Sequence, residues 1–235
     1  MRWGFYMKIP IHAKKKGCEN MSMMNTVSLD CPSCGEQFET SQWQSLNSEL
    51  NPNEKEQLIN GTLFKITCPY CAKAYNFLYP ILYHDMKNKA MIQLVLDEKN
   101  AEEFKSSLQS AEVLKEHDLI LPDDYRYRCV SNHIELREKA MLFNCGLDDR
   151  VIEFLKLIYL AIVKEKKTDV DVSDILFYHD TEHKLIIFSE GKPVFDIKID
   201  MEKYNEIAKD KRAELEEKSK DCFFINHEWA TALIK

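Results

Sequence analysis

The sequence predicts an α+β fold: a double cysteine knuckle on β-hairpins, followed by an α+β region with a central buried helix and a small antiparallel sheet. Three observations predict it. Two short cysteine pairs sit at the ends of strand-like segments, an apolar helical pattern runs from Val151 to Ile162, and three strand-like runs lie between Asp174 and Ile199. The chain has 235 residues, 45% hydrophobic and 30% charged, which suffices for one large or two small domains and argues against disorder or a fibrous repeat.

The first segment, residues 1–24, mixes Arg2, Lys8 and Lys14 to Lys16 with Trp3, Phe5, Tyr6 and Ile9, without the unbroken apolar stretch of a secretory signal. It is expected to be a disordered tail or an upstream extension of the reading frame, since Met21, Met23 and Met24 follow closely. Residues 25–97 are expected to form the knuckle module. Thr26 to Asp30 leads into the first cysteine pair and Glu36 to Trp43 returns from it. Asn51-Pro52-Asn53 starts a helix that reaches about Asn60, with proline in its first turn and Gly61 as its stop. Leu63 to Thr67 runs into the second pair, and Lys73 to Tyr83 runs out of it as one strand. A turn at His84 to Asn88 then joins the strand Met91 to Leu96.

Residues 98–235 form the α+β region. From Lys99 onward, Phe104, Leu108, Ala111 and Leu114 are spaced as on an amphipathic helix that Pro122 and Asp123 end. Tyr125 to Val130 reads as a strand, followed by a helix capped by Asn132 that reaches Asn144, with Gly146 beyond it. The next helix begins at Asp148 and Asp149. It carries Val151, Phe154, Leu155, Ile158 and Ile162, with Ile152, Leu157 and Leu160 on its other faces, and so should be the central buried one. Asp174 to Tyr178, Leu185 to Ser189 and Pro193 to Ile199 form the small sheet, with a turn at Glu190-Gly191-Lys192. Lys203 to Lys218 reads as one charged helix and Cys222 to Ile225 as a last strand.

Chemistry is concentrated in Cys31-Pro32-Ser33-Cys34 and Cys68-Pro69-Tyr70-Cys71. With no secretory signal, a reducing cytoplasm is expected, where metal binding and buried thiols outrank disulfides. A two-residue spacer lets both sulfurs of a pair reach one ion. Four sulfurs at about 2.3 Å from zinc stand about 3.8 Å apart. Proline fixes one φ in each loop, and Gly35 supplies a permissive backbone after the first pair. Ala72 takes that place in the second, so this loop is expected to turn differently or to use Lys73 for the unusual angle. Cys31, Cys34, Cys68 and Cys71 are thus assigned as ligands of one structural Zn²⁺, with iron as an alternative. The second tetrapeptide also matches the active-site motif of glutaredoxins, a thiol–disulfide oxidoreductase reading. That chemistry needs the first cysteine at a helix N-terminus, whereas the residues after Cys71 read as strand.

Beyond the cysteines, several features resemble the CpXC family, prokaryotic proteins with two Cys-Pro-x-Cys motifs. They are Trp43 and Asn47, Leu63-Phe64, Tyr79 to Asp85, Glu138-Lys139, Leu147 to Arg150, and the closing Ile225 to Ala230. The resemblance covers residues 25–157 most fully. It implies a zinc-ribbon-like module with an α+β remainder and lends no activity.

Other residues carry blander expectations. Asp148-Asp149-Arg150 reads as helix capping. Tyr83-His84-Asp85 and Tyr178-His179-Asp180 end apolar strands, and each aspartate is expected to satisfy its own turn rather than serve a His-Asp catalytic dyad. Cys129 and Cys145 read as small hydrophobes, and His133, His183 and His227 as histidines without a partner at metal-ligand spacing. Trp43 and Trp229 read as packing anchors. The apolar run Val151 to Val163 is about 13 residues long and is interrupted by Glu153 and Lys156, whereas a membrane span needs roughly 20. No catalytic residue is assigned, and the chain is expected not to be an enzyme.

The net charge of −7 bears on partners. Residues 21–96 hold five lysines and no arginine against seven acidic residues, and residues 97–235 hold 22 basic against 31 acidic. A ribbon that reads nucleic acid should present a basic face. The preferred expectation is therefore a protein-interaction or adaptor module whose zinc is a staple, with a nucleic-acid-associated regulator as the alternative.

Overall fold

The computed structural model describes residues 22–97, 102, 124–166, 170–220 and 222–234. The segment before Ser22, with Cys18, and the amphipathic helix expected from Lys99 lie outside the described residues. The remainder is α+β. Its strands are β1 (Met23–Asp30), β2 (Gln37–Asn47), β3 (Lys65–Thr67), β4 (Ala74–Asn76), β5 (Ile81–Asp85), β6 (Ala90–Leu94), β7 (Arg126–Val130), β8 (Asp174–His179), β9 (His183–Ser189) and β10 (Lys192–Lys198). Its helices are α1 (Pro52–Ile59), α2 (His133–Asn144), α3 (Asp149–Lys166), α4 (Met201–Asp210), α5 (Arg212–Lys218) and α6 (His227–Ala232).

Strands β1-β2-β5-β6-β7 make a mixed sheet. β1 and β2 form a long antiparallel hairpin, and only the far end of β2, Ser45 to Asn47, runs on to pair in parallel with Leu82 to His84 of β5. One strand therefore joins two packing environments. Phe38 packs beside Cys31 and Cys68, while Leu46 is fully buried in the main core. β7 lies parallel to β6, and a single apolar cluster runs from Leu46 and Ile81 through Phe143 and Leu155 to Ile187 and Trp229. The antiparallel sheet β10-β9-β8 packs on this core through Ile175, Phe177, Leu185 and Ile187.

Local chemistry explains most boundaries. Asn47 is fully buried, and its side-chain oxygen accepts the N–H groups of Glu49 and Leu50 at 2.9 and 3.3 Å, turning the chain toward α1. Asn132 caps α2 through the N–H groups of Ile134 and Glu135, and Gly146 follows with φ +71°. The expected strand Lys73–Tyr83 is in fact two strands of different sheets. Pro80 offers no N–H to a ladder, and the aromatic run before it packs instead of pairing: Phe64 and Phe77 each place a ring 5.2 Å from Tyr79. The expected helix Lys203–Lys218 breaks at Lys211, with buried Tyr204 on one piece and Leu215 on the other, both in the main core. Cys222 to Ile225 is not a strand. The Phe223 carbonyl accepts from Cys129 N–H at 2.9 Å, after which Asn226 caps the unanticipated helix α6 through Trp229 N–H.

α3 buries charge as well as apolar surface. Arg128 holds Asp149 through two hydrogen bonds of 2.7 and 3.0 Å, and Lys139 reaches Asp149 at 3.1 Å and Glu153 at 3.3 Å. Lys156 lies 3.1 Å from Glu153 and 2.8 Å from Glu138. All six are buried, and three cations face three carboxylates. Asp149 is thus an ion-pair anchor rather than a helix cap. Asp148 takes the capping role by accepting Arg150 N–H at 3.0 Å.

Candidate metal centre

The first knuckle closes the turn between β1 and β2, and the second closes the turn between β3 and β4. The two loops repeat one hydrogen-bond pattern. Cys31 N–H donates to the Glu36 carbonyl at 2.9 Å and Gly35 N–H to the Cys31 carbonyl at 2.8 Å. Cys68 N–H donates to the Lys73 carbonyl at 2.9 Å and Ala72 N–H to the Cys68 carbonyl at 3.0 Å. Gly35 and Ala72 both have positive φ, +77° and +56°. The second loop therefore does not turn differently and does not use Lys73; alanine itself takes the left-handed conformation.

These loops bring Cys31, Cys34, Cys68 and Cys71 together, with one sulfur from each within 4.8 Å of all the others. Across the two knuckles the Sγ–Sγ distances are 3.7 Å for Cys31–Cys71 and 3.7 Å for Cys34–Cys68. Four sulfurs around one zinc would stand about 3.8 Å apart, so the residues present fit the ion. Ser33 N–H points at Cys31 Sγ at 3.4 Å, as expected of a loop that favours a thiolate. Cys31 and Cys68 are buried, Cys71 is half-buried and Cys34 is exposed.

The electrostatics of this cluster also call for a cation. Burial opposes the Cys31 thiolate, but the Cys34 and Ser33 backbone N–H groups and the neighbouring sulfurs bring it down to about 6. At Cys34 the Glu36 backbone favours ionisation, yet lost hydration and the other three sulfurs push it up to about 12. At Cys71 the Lys73 backbone and Cys34 favour ionisation, but lost hydration, Cys31 and Cys68 together raise it. Four thiols packed this closely do not ionise together unless a positive charge sits among them. The support around them is small: Phe38, Ile66 and Tyr75 are the side chains packed with the cysteines.

A family model described as CpXC protein matches residues 29–156, more than half of the chain. The chain belongs to the CpXC protein family. No curated protein and no solved structure matches it. The matched part of this CpXC protein contains both knuckles and all six residues of the buried ion network.

The remaining sequence candidates fall out differently. Cys68 is preceded by β3, and the residues after Cys71 form β4, so the helix that glutaredoxin chemistry requires is not there. Asp85 accepts Asn88 N–H at 3.0 Å, and Asp180 accepts Glu182 N–H at 3.0 Å, so both tie their own turns. His84 is fully buried and lies 3.2 Å from the Tyr125 hydroxyl. His133 packs against Phe64, and His227 is the exposed first residue of α6. Trp43 packs on the core, and Trp229 is buried there with Nε1 donating to the Lys218 carbonyl at 3.2 Å. His183 departs from expectation: it stands with His179 and Cys145, their donor atoms within 4.8 Å of one another. The His179-x-x-x-His183 spacing was the available signal.

Proposed function

We propose that this CpXC protein is a cytoplasmic zinc protein whose four-cysteine site is a structural staple and whose stapled surface binds another protein. The four converging sulfurs carry the metal reading. Zinc held by Cys31, Cys34, Cys68 and Cys71 would link the two loops, and four thiolate ligands would leave no position for a reacting water. The chain's own residues do the rest: the knuckle N–H groups favour thiolates, Phe38 and Tyr75 pack with the cysteines, and β2 passes the resulting rigidity to the main core. Among the described residues no helix is long and apolar enough to cross a membrane.

The acidic balance and the exposed apolar groups Tyr70 and Leu78 support a protein partner. Tyr70, in the second knuckle, is 64% exposed, and Leu78, just after β4, is 40% exposed. Metal content of the full chain purified without added zinc, compared with a Cys68→Ser, Cys71→Ser variant, tests the staple; the variant should lose the ion and the hairpin structure together. Retention on DNA or RNA columns tests the partner class. Salt-dependent retention would overturn the protein-partner reading.

A further inference from the structure

A second group of metal-ligating side chains lies outside the knuckles. His179 closes β8 and His183 opens β9, and the two are direct partners in the antiparallel register. Directly opposed residues project from the same face of a sheet. That face is otherwise the apolar one, carrying Ile175 and Phe177 on β8 and Leu185 and Ile187 on β9. The two imidazoles end this row with ring centroids 4.6 Å apart. Cys145, the C-cap of α2, completes the group, with all three donor atoms within 4.8 Å of one another.

We propose that Cys145, His179 and His183 form a second metal site, for a borderline-soft divalent ion of the zinc class, with its fourth corner left to water. Each of the three offers a donor that such ions favour. His179 Nδ1 lies 3.3 Å from the Glu182 carbonyl, which fixes the proton on Nδ1 and leaves Nε2 as the free donor. A backbone carbonyl in that role is the usual outer support of a ligating histidine. His183 Nδ1 is buried with no hydrogen-bond partner among the described residues, a cost that an orphaned polar atom pays without a ligand. No hydrogen bond joins the three side chains to one another among the described residues.

Three protein donors and a water make an exchangeable site, unlike the closed four-cysteine one. His179 and His183 lie beyond the residues that the CpXC model matches.

The test is cobalt titration of untagged full-length protein that keeps one tightly held zinc per chain after a mild chelator has emptied the exchangeable site, followed by visible absorption. Wild type should take up about one Co²⁺ per chain, with tetrahedral bands and a thiolate-to-cobalt transition. His179→Ala with His183→Ala should abolish the spectrum. Cys145→Ser, a near-isosteric change at a half-buried position, should remove the thiolate transition and weaken binding at least about tenfold. Circular dichroism is recorded on each variant. A wild-type protein that gives no cobalt spectrum would overturn the site, as would a folded Cys145→Ser protein with the wild-type spectrum and affinity.

Discussion

Gly35 and Ala72 hold equivalent positions, each donating its N–H to the carbonyl of the first cysteine of its knuckle from a left-handed backbone conformation. Glycine adopts that conformation freely, whereas a Cβ makes it cost about 1 kcal/mol. Ala72→Gly should therefore stabilise the metal-loaded protein by up to about 1 kcal/mol in denaturant unfolding. An unchanged midpoint would contradict the equivalence of the two loops.

The converse change should be tolerated. A Cβ on Gly35 meets nothing within 4 Å, so Gly35→Ala carries a backbone cost alone. Zinc content should be retained while stability falls by about 1–2 kcal/mol, read by the same unfolding experiment with metal analysis alongside.

Lys156 sits between Glu138 and Glu153 at the buried interface of α2 and α3. Lys156→Met leaves both carboxylates buried with less compensation and should destabilise the fold by about 3–5 kcal/mol. Replacing Glu138, Glu153, Lys139 and Lys156 together with apolar residues of similar volume should cost much less. Equal losses in the two proteins would argue that packing, not charge balance, governs this interface.

Acid should unfold the protein partly through Asp149. Burial works against its carboxylate, but Arg128 and Lys139 outweigh that and hold it well below the usual carboxylate range. A folded-state value below the unfolded one gives stability that is present above about pH 4 and is lost as pH falls further. Glu138 is raised, chiefly by burial, and contributes with the opposite sign. Asp149→Asn should therefore lose stability at neutral pH and show a shallower acid limb than wild type. Parallel curves would remove Asp149 from the account.

The knuckles were legible because their chemistry is local: two residues between cysteines, a proline and a left-handed position are all written in consecutive letters. The Asn132 cap and the turn aspartates were legible for the same reason. The pairing of Glu138, Lys139, Glu153 and Lys156 was not legible, because a helical pattern does not reveal what lies across the interface, and here each charge meets its opposite on another element. The Lys73–Tyr83 segment has strand propensity throughout, yet Pro80 and the Phe64–Tyr79 packing divide it between two sheets. Helix α6 is short, and its Asn226 cap with Glu228 in the first turn was the only local sign of it. Cys145 met the two histidines only through the docking of α2 against β8, which no spacing in the chain encodes.

The most direct test of the four-cysteine staple is zinc-edge X-ray absorption with metal analysis on the His179→Ala, His183→Ala variant, in which the second cluster contributes no ligands. The expected result is about one tightly held zinc per chain, surrounded by sulfur alone at about 2.3 Å. A chain that folds without metal, or a first shell containing nitrogen or oxygen, would contradict it.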